Sequence, residues 1–254
     1  MDGDATRARR RSYPMSISFR GEDPMCRPGR ALKALGLVAL LSLLGGVLAG
    51  CRQQAQTPAA NEVKLGMVLS MSGALATMGS KMANAVRLAV EDINKAGGIN
   101  GKQVKLLEED DATDAATSLQ AVKKLVEVNN VKLMIGGMTS GAAMTSGPYV
   151  AERKVLLISP SATSPTLTGQ PWRSYVFRTA PSDAFQGKVM AQLAVEEGLK
   201  RVVILTMDNP YGVGLGEVAK NALAGKAEVL AFIKYDPNKG DYLTELTQIK
   251  NLRP

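Results

Sequence analysis

From Val63 onward, short apolar runs rich in strand formers alternate with longer segments whose apolar residues recur at helical spacing, and this alternation constrains the fold more than any other feature. Val63 to Ser70 predicts a strand. Lys81 to Ala96 predicts a helix through Met82, Ala85, Val86, Ala89, Val90 and Ile93, stopped by Gly97-Gly98. The cycle repeats with a strand from Val104 to Leu107, Asp114 as a helix N-cap, and a helix from Ala115 to Glu127 bearing Leu119, Val122, Leu125 and Val126 on one side. A strand is expected at Val131 to Ile135, a helix from about Ser140 to Arg153, a strand at Val155 to Ser159, and a Ser/Thr/Pro-rich loop from Pro160 to Pro171. Strands at Val202 to Met207 and Val229 to Tyr235 then alternate with helices at Asp183 to Gly198, Gly212 to Ala224 and Tyr242 to Asn251.

Such alternation gives right-handed crossovers and parallel sheets flanked by helices, so the fold class is α/β. Ligands on such sheets sit beyond the carboxyl ends of the strands, which puts functional weight on the loops after Leu69, Ile135, Ile158 and Met207. Beyond Pro181 only two strands are expected, too few for an independent lobe, and the sequence stops at Arg253-Pro254 where another strand is due. The second lobe is therefore expected to be incomplete in this sequence.

The segment ahead of Val63 speaks to location. After Arg27, Arg30 and Lys33 comes an apolar run from Ala34 to Ala49, short for a membrane span and suited to a signal-peptide core. It ends in Leu48-Ala49-Gly50-Cys51, the pattern of a bacterial lipobox, so Cys51 is expected to carry the lipid and to begin the mature chain. The predicted organisation is an over-extended gene start (1–24), a lipoprotein signal peptide (25–50), a flexible tether (51–61), a first α/β lobe (62–180) and a partial second lobe (181–254). That places the protein on the periplasmic or extracellular face, tethered to a membrane.

Composition narrows the functions. The net charge is +8, but residues 1–50 hold eight Lys and Arg against four Asp and Glu, so half of the excess lies in the leader. The remaining charge is interspersed with acids such as Glu108, Glu109, Asp110 and Asp111, and aromatic content is low, which argues against nucleic acid as a partner. There is no histidine, so the usual general base, the Ser-His-Asp triad and the commonest metal ligand are all missing. Cys26 and Cys51 both fall at or before the leader's end, leaving no internal disulfide or thiolate metal site. The run Gly73 to Lys81 is only superficially a phosphate loop, because Gly79-Ser80-Lys81 breaks the required order and spacing. Neither an enzyme nor a cofactor is called for.

The residues at the strand-end loops form recognisable motifs: Gly66-Met67-Val68-Leu69-Ser70-Met71-Ser72-Gly73, then Ala89 to Gly101, Ile158-Ser159-Pro160-Ser161-Ala162-Thr163-Ser164-Pro165 and Phe177-Arg178-Thr179-Ala180. From about Val63 to the end the chain resembles the periplasmic leucine/isoleucine/valine-binding proteins of ABC transporters. The resemblance implies a two-lobed type I periplasmic binding fold that closes on a small amino-acid-like ligand and presents it to permease subunits. It also implies that Ser140 binds the ligand carboxylate, that the Ser161 carbonyl accepts from the ammonium, and that Thr163 binds the same α-amino-acid group. Tyr211 would pack over the ligand from the second lobe, and Met78 would stand where relatives place an aromatic pocket residue. The acidic group that balances the ammonium is implied to lie in second-lobe sequence not present here. A disulfide some members carry would fall at Thr113 and Thr139, which are not cysteines.

Each residue also has an ordinary reading. Ser140 is a good helix cap, Ser161 and Thr163 suit a structural loop, Tyr211 suits turn packing, and the Asp110-Asp111 pair suits a solvated or capping strand end. The helix start at Ser140 nonetheless favours an anion through its free N–H groups and dipole. The function expected is therefore a solute-binding lipoprotein for a branched-chain or similar small amino acid. The alternatives are a binder of short amides, urea or another amino acid, or a ligand-sensing domain of the same fold.

Overall fold

The computed structural model describes residues 61–254. The expected extension, signal peptide, lipid-bearing Cys51 and tether up to residue 60 lie outside the described residues.

Five parallel strands form the first sheet: β1 (Glu62–Leu69), β2 (Gln103–Asp110), β3 (Leu133–Gly136), β4 (Leu156–Ser159) and β5 (Val176–Arg178), in the order β2-β1-β3-β4-β5. Three helices connect them: α1 (Ala76–Lys95), α2 (Ala115–Glu127) and α3 (Ser140–Glu152). Strand alternation sends Val68, Met134 and Leu157 to one face, where they pack with Val122, Leu125 and Val150 of α2 and α3. It sends Met67 and Leu69 to the other, against Ala83, Met82 and Val86 of α1. Register is thereby fixed, because a one-residue slip would exchange the two faces. The paired positions Leu65↔Leu133 and Leu133↔Leu156 bring the carboxyl ends of β1, β3 and β4 to one edge.

Most expected elements are present with shifted ends. Asp114 caps α2 by accepting from the Thr117 N–H at 2.7 Å. By contrast, α1 starts at Ala76, ahead of the expected Lys81, because Gly79 lies directly on the end of β1: a Cβ there would sit 1.9 Å from the Ser70 carbonyl oxygen. Three elements were not expected, the first a short 3-10 helix at Gly73–Leu75 ahead of α1. Pro165–Gly169 forms a 3-10 turn inside the Ser/Thr/Pro loop, and β5 is a three-residue edge strand held by pairing with β4.

The second sheet has two parallel strands, β6 (Arg201–Met207) and β7 (Glu228–Tyr235), flanked by α4 (Asp183–Glu196), α5 (Pro210–Leu223) and α6 (Leu243–Leu252). Helices α4 and α5 pack through Gly187 and Ala219, while Phe185, Val189 and Leu193 of α4 remain exposed. Glycines let α5 come close to the first sheet's loops, since a Cβ on Gly214 would lie 2.6 Å from Ser164 Oγ. Among the described residues no helix is long and apolar enough to cross a membrane.

Candidate functional site

The loops following β3 and β4 cross one another at the carboxyl edge of the first sheet. Thr139 is the N-cap of α3, its hydroxyl accepting from the Ala142 N–H at 3.0 Å, so Ser140 is the first helical residue and the cap is its neighbour. This separates Ser140 from the ordinary capping role. Its hydroxyl oxygen instead accepts from the Ser164 N–H at 3.1 Å, in a position only 2% exposed. A serine hydroxyl has one proton to donate, and accepting that bond leaves the proton free.

The Ser161–Ser164 segment is held from several sides. Ser161 Oγ donates to the Met138 carbonyl at 2.7 Å, while Ser159 Oγ donates to the Gly137 carbonyl at 2.6 Å and accepts from the Ala162 N–H at 2.9 Å. Arg178 reaches back from β5 to the Ser164 carbonyl at 2.8 Å and Thr168 Oγ1 at 2.9 Å. Trp172, buried with Ala143, Ala162 and Leu167, presses its ring on α3 where only Gly147 leaves room. Both ends of the loop are thus fixed while the Ser161 carbonyl and Thr163 hydroxyl take part in no hydrogen bond among the described residues. Rigid support with unspent polar groups is what a binding cradle requires.

The second lobe meets this cradle through the start of α5. Asn209 caps that helix by accepting from the Gly212 N–H at 2.9 Å, and Pro210 lies beside Gly141 of α3. Tyr211 is half-buried next to them. Burial, and then the charge of Asp183, raise its pKa above the ordinary tyrosine value. The structure therefore gathers Ser140, Ser161, Thr163 and Tyr211 at one junction. Met78 stands apart from this group: it lies in the first turn of α1, 45% exposed, and no described contact joins it to the other four.

The Asp110-Asp111 pair ties loops together. Asp110 Oδ1 accepts from the Met71 and Ala112 N–H groups, each at 2.9 Å, and from that of Ser72 at 3.1 Å. Asp111, fully buried, accepts from Ser70 Oγ at 2.6 Å. Gly73, at φ +75°, lets the β1 loop approach the Ala112 carbonyl closely. Thr113 Oγ1 adds a bond to the Ser72 carbonyl at 3.0 Å, so a threonine links the loops where some relatives are implied to carry a cysteine. Among the described residues no cluster of three or more metal-ligating side chains occurs.

Two cavities border the sheet without enclosing the junction. One of about 630 Å³ is lined by Ser159, Leu167, Arg173, Val176 and Arg178; the other, about 290 Å³, by Leu69, Met82, Val86, Ile135 and Ile158 under α1. Neither of these two cavities is lined by Ser140, Ser161, Thr163 or Tyr211.

The periplasmic binding protein family matches residues 62–254. The chain belongs to this family. The Leu/Ile/Val-binding protein homolog 3 of Brucella melitensis is 30% identical over 222 residues, which are 87% of this chain and 57% of that protein. Among solved structures, the branched-chain amino acid transporter substrate-binding protein LivJ of Streptococcus pneumoniae, in complex with isoleucine, shares 32% identity at a TM-score of 0.64, covering 74% of this chain and 54% of its own. An ABC-transporter solute-binding protein of Rhodopseudomonas palustris BisB5, in complex with 3,4-dihydroxybenzoic acid, shares 26% identity at a TM-score of 0.65, covering 76% and 53%. The chain spans about half the length of the curated relatives it matches. As a member of this family it has the type I periplasmic binding architecture implied by its strand-end motifs.

Sequence reasoning passed over Asp183 and Ser164. Ser182-Asp183 looks like ordinary helix-start chemistry, and nothing in the pattern signals that Asp183 is buried or that the Ser164 N–H points at Ser140.

Proposed function

We propose that this protein is the extracytoplasmic solute-binding component of an ABC uptake transporter, taking a branched-chain or similar small amino acid. The carrying observation is the free Ser140 hydroxyl proton at the start of α3, opposite the unengaged Ser161 carbonyl and Thr163 hydroxyl. A carboxylate is favoured at the helix start by the dipole and free N–H groups, and an ammonium by a carbonyl and a hydroxyl. Tyr211 offers an aromatic surface from the second lobe. Ligand bridging the lobes would favour the closed state, and closure is the signal a permease reads. Support for an amino acid comes from the isoleucine-bound relative; Cys51, as a lipid-modified residue, would hold the protein at the membrane.

Calorimetry on the full-length protein tests this with leucine, isoleucine, valine, polar amino acids, short amides, urea and benzoate. Saturable heat with an α-amino acid is the expected result. Saturation by benzoate or urea alone would refute the amino-acid reading and leave the binding fold in other service.

A further inference from the structure

We infer that Gly214 is a positioning residue for bound solute: the lack of a side chain there lets the second lobe seat against the loop that carries Thr163. This deepens the reading of Ser140, Ser161, Thr163 and Tyr211 as the site and rests on it. Glycine in a helix interior is less stable than alanine, so a buried glycine within α5 calls for a reason outside the helix. Its surroundings supply one. A Cβ on Gly212 or Gly216 would strike its own lobe, at the Met207 carbonyl oxygen and the Phe232 ring. A Cβ on Gly214 would instead meet the first lobe, 2.6 Å from Ser164 Oγ and 3.1 Å from Pro165 Cδ.

The surface it would strike is held in place. Ser164 is fully buried, its N–H donates to Ser140 Oγ at 3.1 Å, and its carbonyl accepts from Arg178 at 2.8 Å. Its hydroxyl is hydrogen-bonded to that of Thr166 at 2.8 Å, and Pro165 follows with φ locked by its ring. Non-bonded carbon atoms settle about 3.5–4.0 Å apart, so a methyl at position 214 would force α5 to withdraw by roughly 1 Å.

That withdrawal reaches the site. Helix α5 meets the first lobe at Pro210, whose Cδ would lie 3.9 Å from a Cβ on Gly141, and again one turn on at Gly214. Gly141 adjoins Ser140 in the chain, and Ser164 adjoins Thr163. Tyr211 lies between the two contacts and one turn before Gly214, on the same side of the helix. How closely Tyr211 approaches Ser140 and Thr163 is therefore set at Gly214, a residue that offers no side-chain group to a solute.

The test uses the full-length protein as Gly214→Ala, as Ser164→Ala and as the double variant. Calorimetry measures binding of leucine, isoleucine and valine, and displacement of the labelled amino acid measures dissociation. Gly214→Ala should weaken binding at least about fivefold, the low end of what one methyl forced into a packed contact costs, and should do so through faster dissociation. Ser164→Ala keeps the N–H that bonds Ser140 but removes the obstructing oxygen, leaving its Cβ 3.6 Å from the new methyl, an ordinary contact. In that background Gly214→Ala should weaken binding less than about twofold. A loss below about fivefold for Gly214→Ala alone, or one that Ser164→Ala does not reduce, overturns the inference while the proposed function stands. Should Gly214→Ala fail to fold, the double variant decides: folding with the affinity of Ser164→Ala supports the inference, and failure of both to fold overturns it. If wild type binds none of the three amino acids, the reading of the site is refuted and this inference falls with it.

Discussion

Replacing Ser140 by alanine separates a ligand-binding hydroxyl from a structural one. The side chain is 2% exposed and accepts from the Ser164 N–H at 3.1 Å, so alanine leaves that N–H buried without a partner. The stability loss should be about 1–3 kcal/mol, the desolvation cost of one orphaned donor. A structural role ends there. If the hydroxyl proton also donates to a ligand carboxylate, a charge-assisted bond of about 1.5–3 kcal/mol is lost as well, which weakens binding by roughly 10- to 150-fold. Urea unfolding followed by the fluorescence of Trp172, the chain's single tryptophan, measures the first quantity, and calorimetry with leucine measures the second. A destabilised variant that binds leucine with unchanged affinity would refute the assignment and reduce Ser140 to a post that holds the Ser164 loop.

Ser161→Ala should behave in the opposite way: its hydroxyl bonds the Met138 carbonyl, so stability falls by about 0.5–1.5 kcal/mol, while affinity, which needs only the backbone carbonyl, changes little in calorimetry. Gly147→Ala places a Cβ 2.6 Å from Trp172 Cδ2; the ring must move, with about 1–3 kcal/mol lost and a red-shifted emission spectrum. Burial, followed by the Glu127 carboxylate that accepts from its hydroxyl at 2.8 Å, pushes the Tyr149 pKa up to about 12. The unfolded chain therefore loses that proton first, and stability should fall as pH rises from about 10 to 12, a fall that Tyr149→Phe removes in denaturation measured across that range. Cys51→Ser should release the protein from membranes in detergent phase partitioning; continued partitioning into the detergent phase would refute the lipid anchor.

Much of the first lobe was legible because its elements satisfy local and global demands together. Leu119, Val122, Leu125 and Val126 recur at helical spacing and do form the buried side of α2, where Val122 and Leu125 meet Val68 and Met134. Ser140 was recognisable as a helix start, yet the cap proved to be Thr139, since two adjacent hydroxyl residues are equally good candidates until backbone angles choose between them. Strand β5 was missed because three residues carry no period, and its pairing with β4 supplies what its sequence lacks. The first turn of α1 was missed because it shows no apolar repeat; it follows from the fit of Gly79 on Ser70.

By itself the sequence determined the alternating α/β pattern and the order of most of its strands and helices, which depend on residue type and spacing. Only the tertiary structure decided which polar groups are used up and which remain. Ser161 spends its hydroxyl on Met138, Ser140 keeps a proton after accepting from Ser164, Asp110 and Asp111 become loop ties, and Asp183 is buried with one oxygen unmatched. Hydrogen-bond satisfaction depends on partners far apart in the chain, and those are known only once the loops of β3 and β4 and the start of α4 have come together.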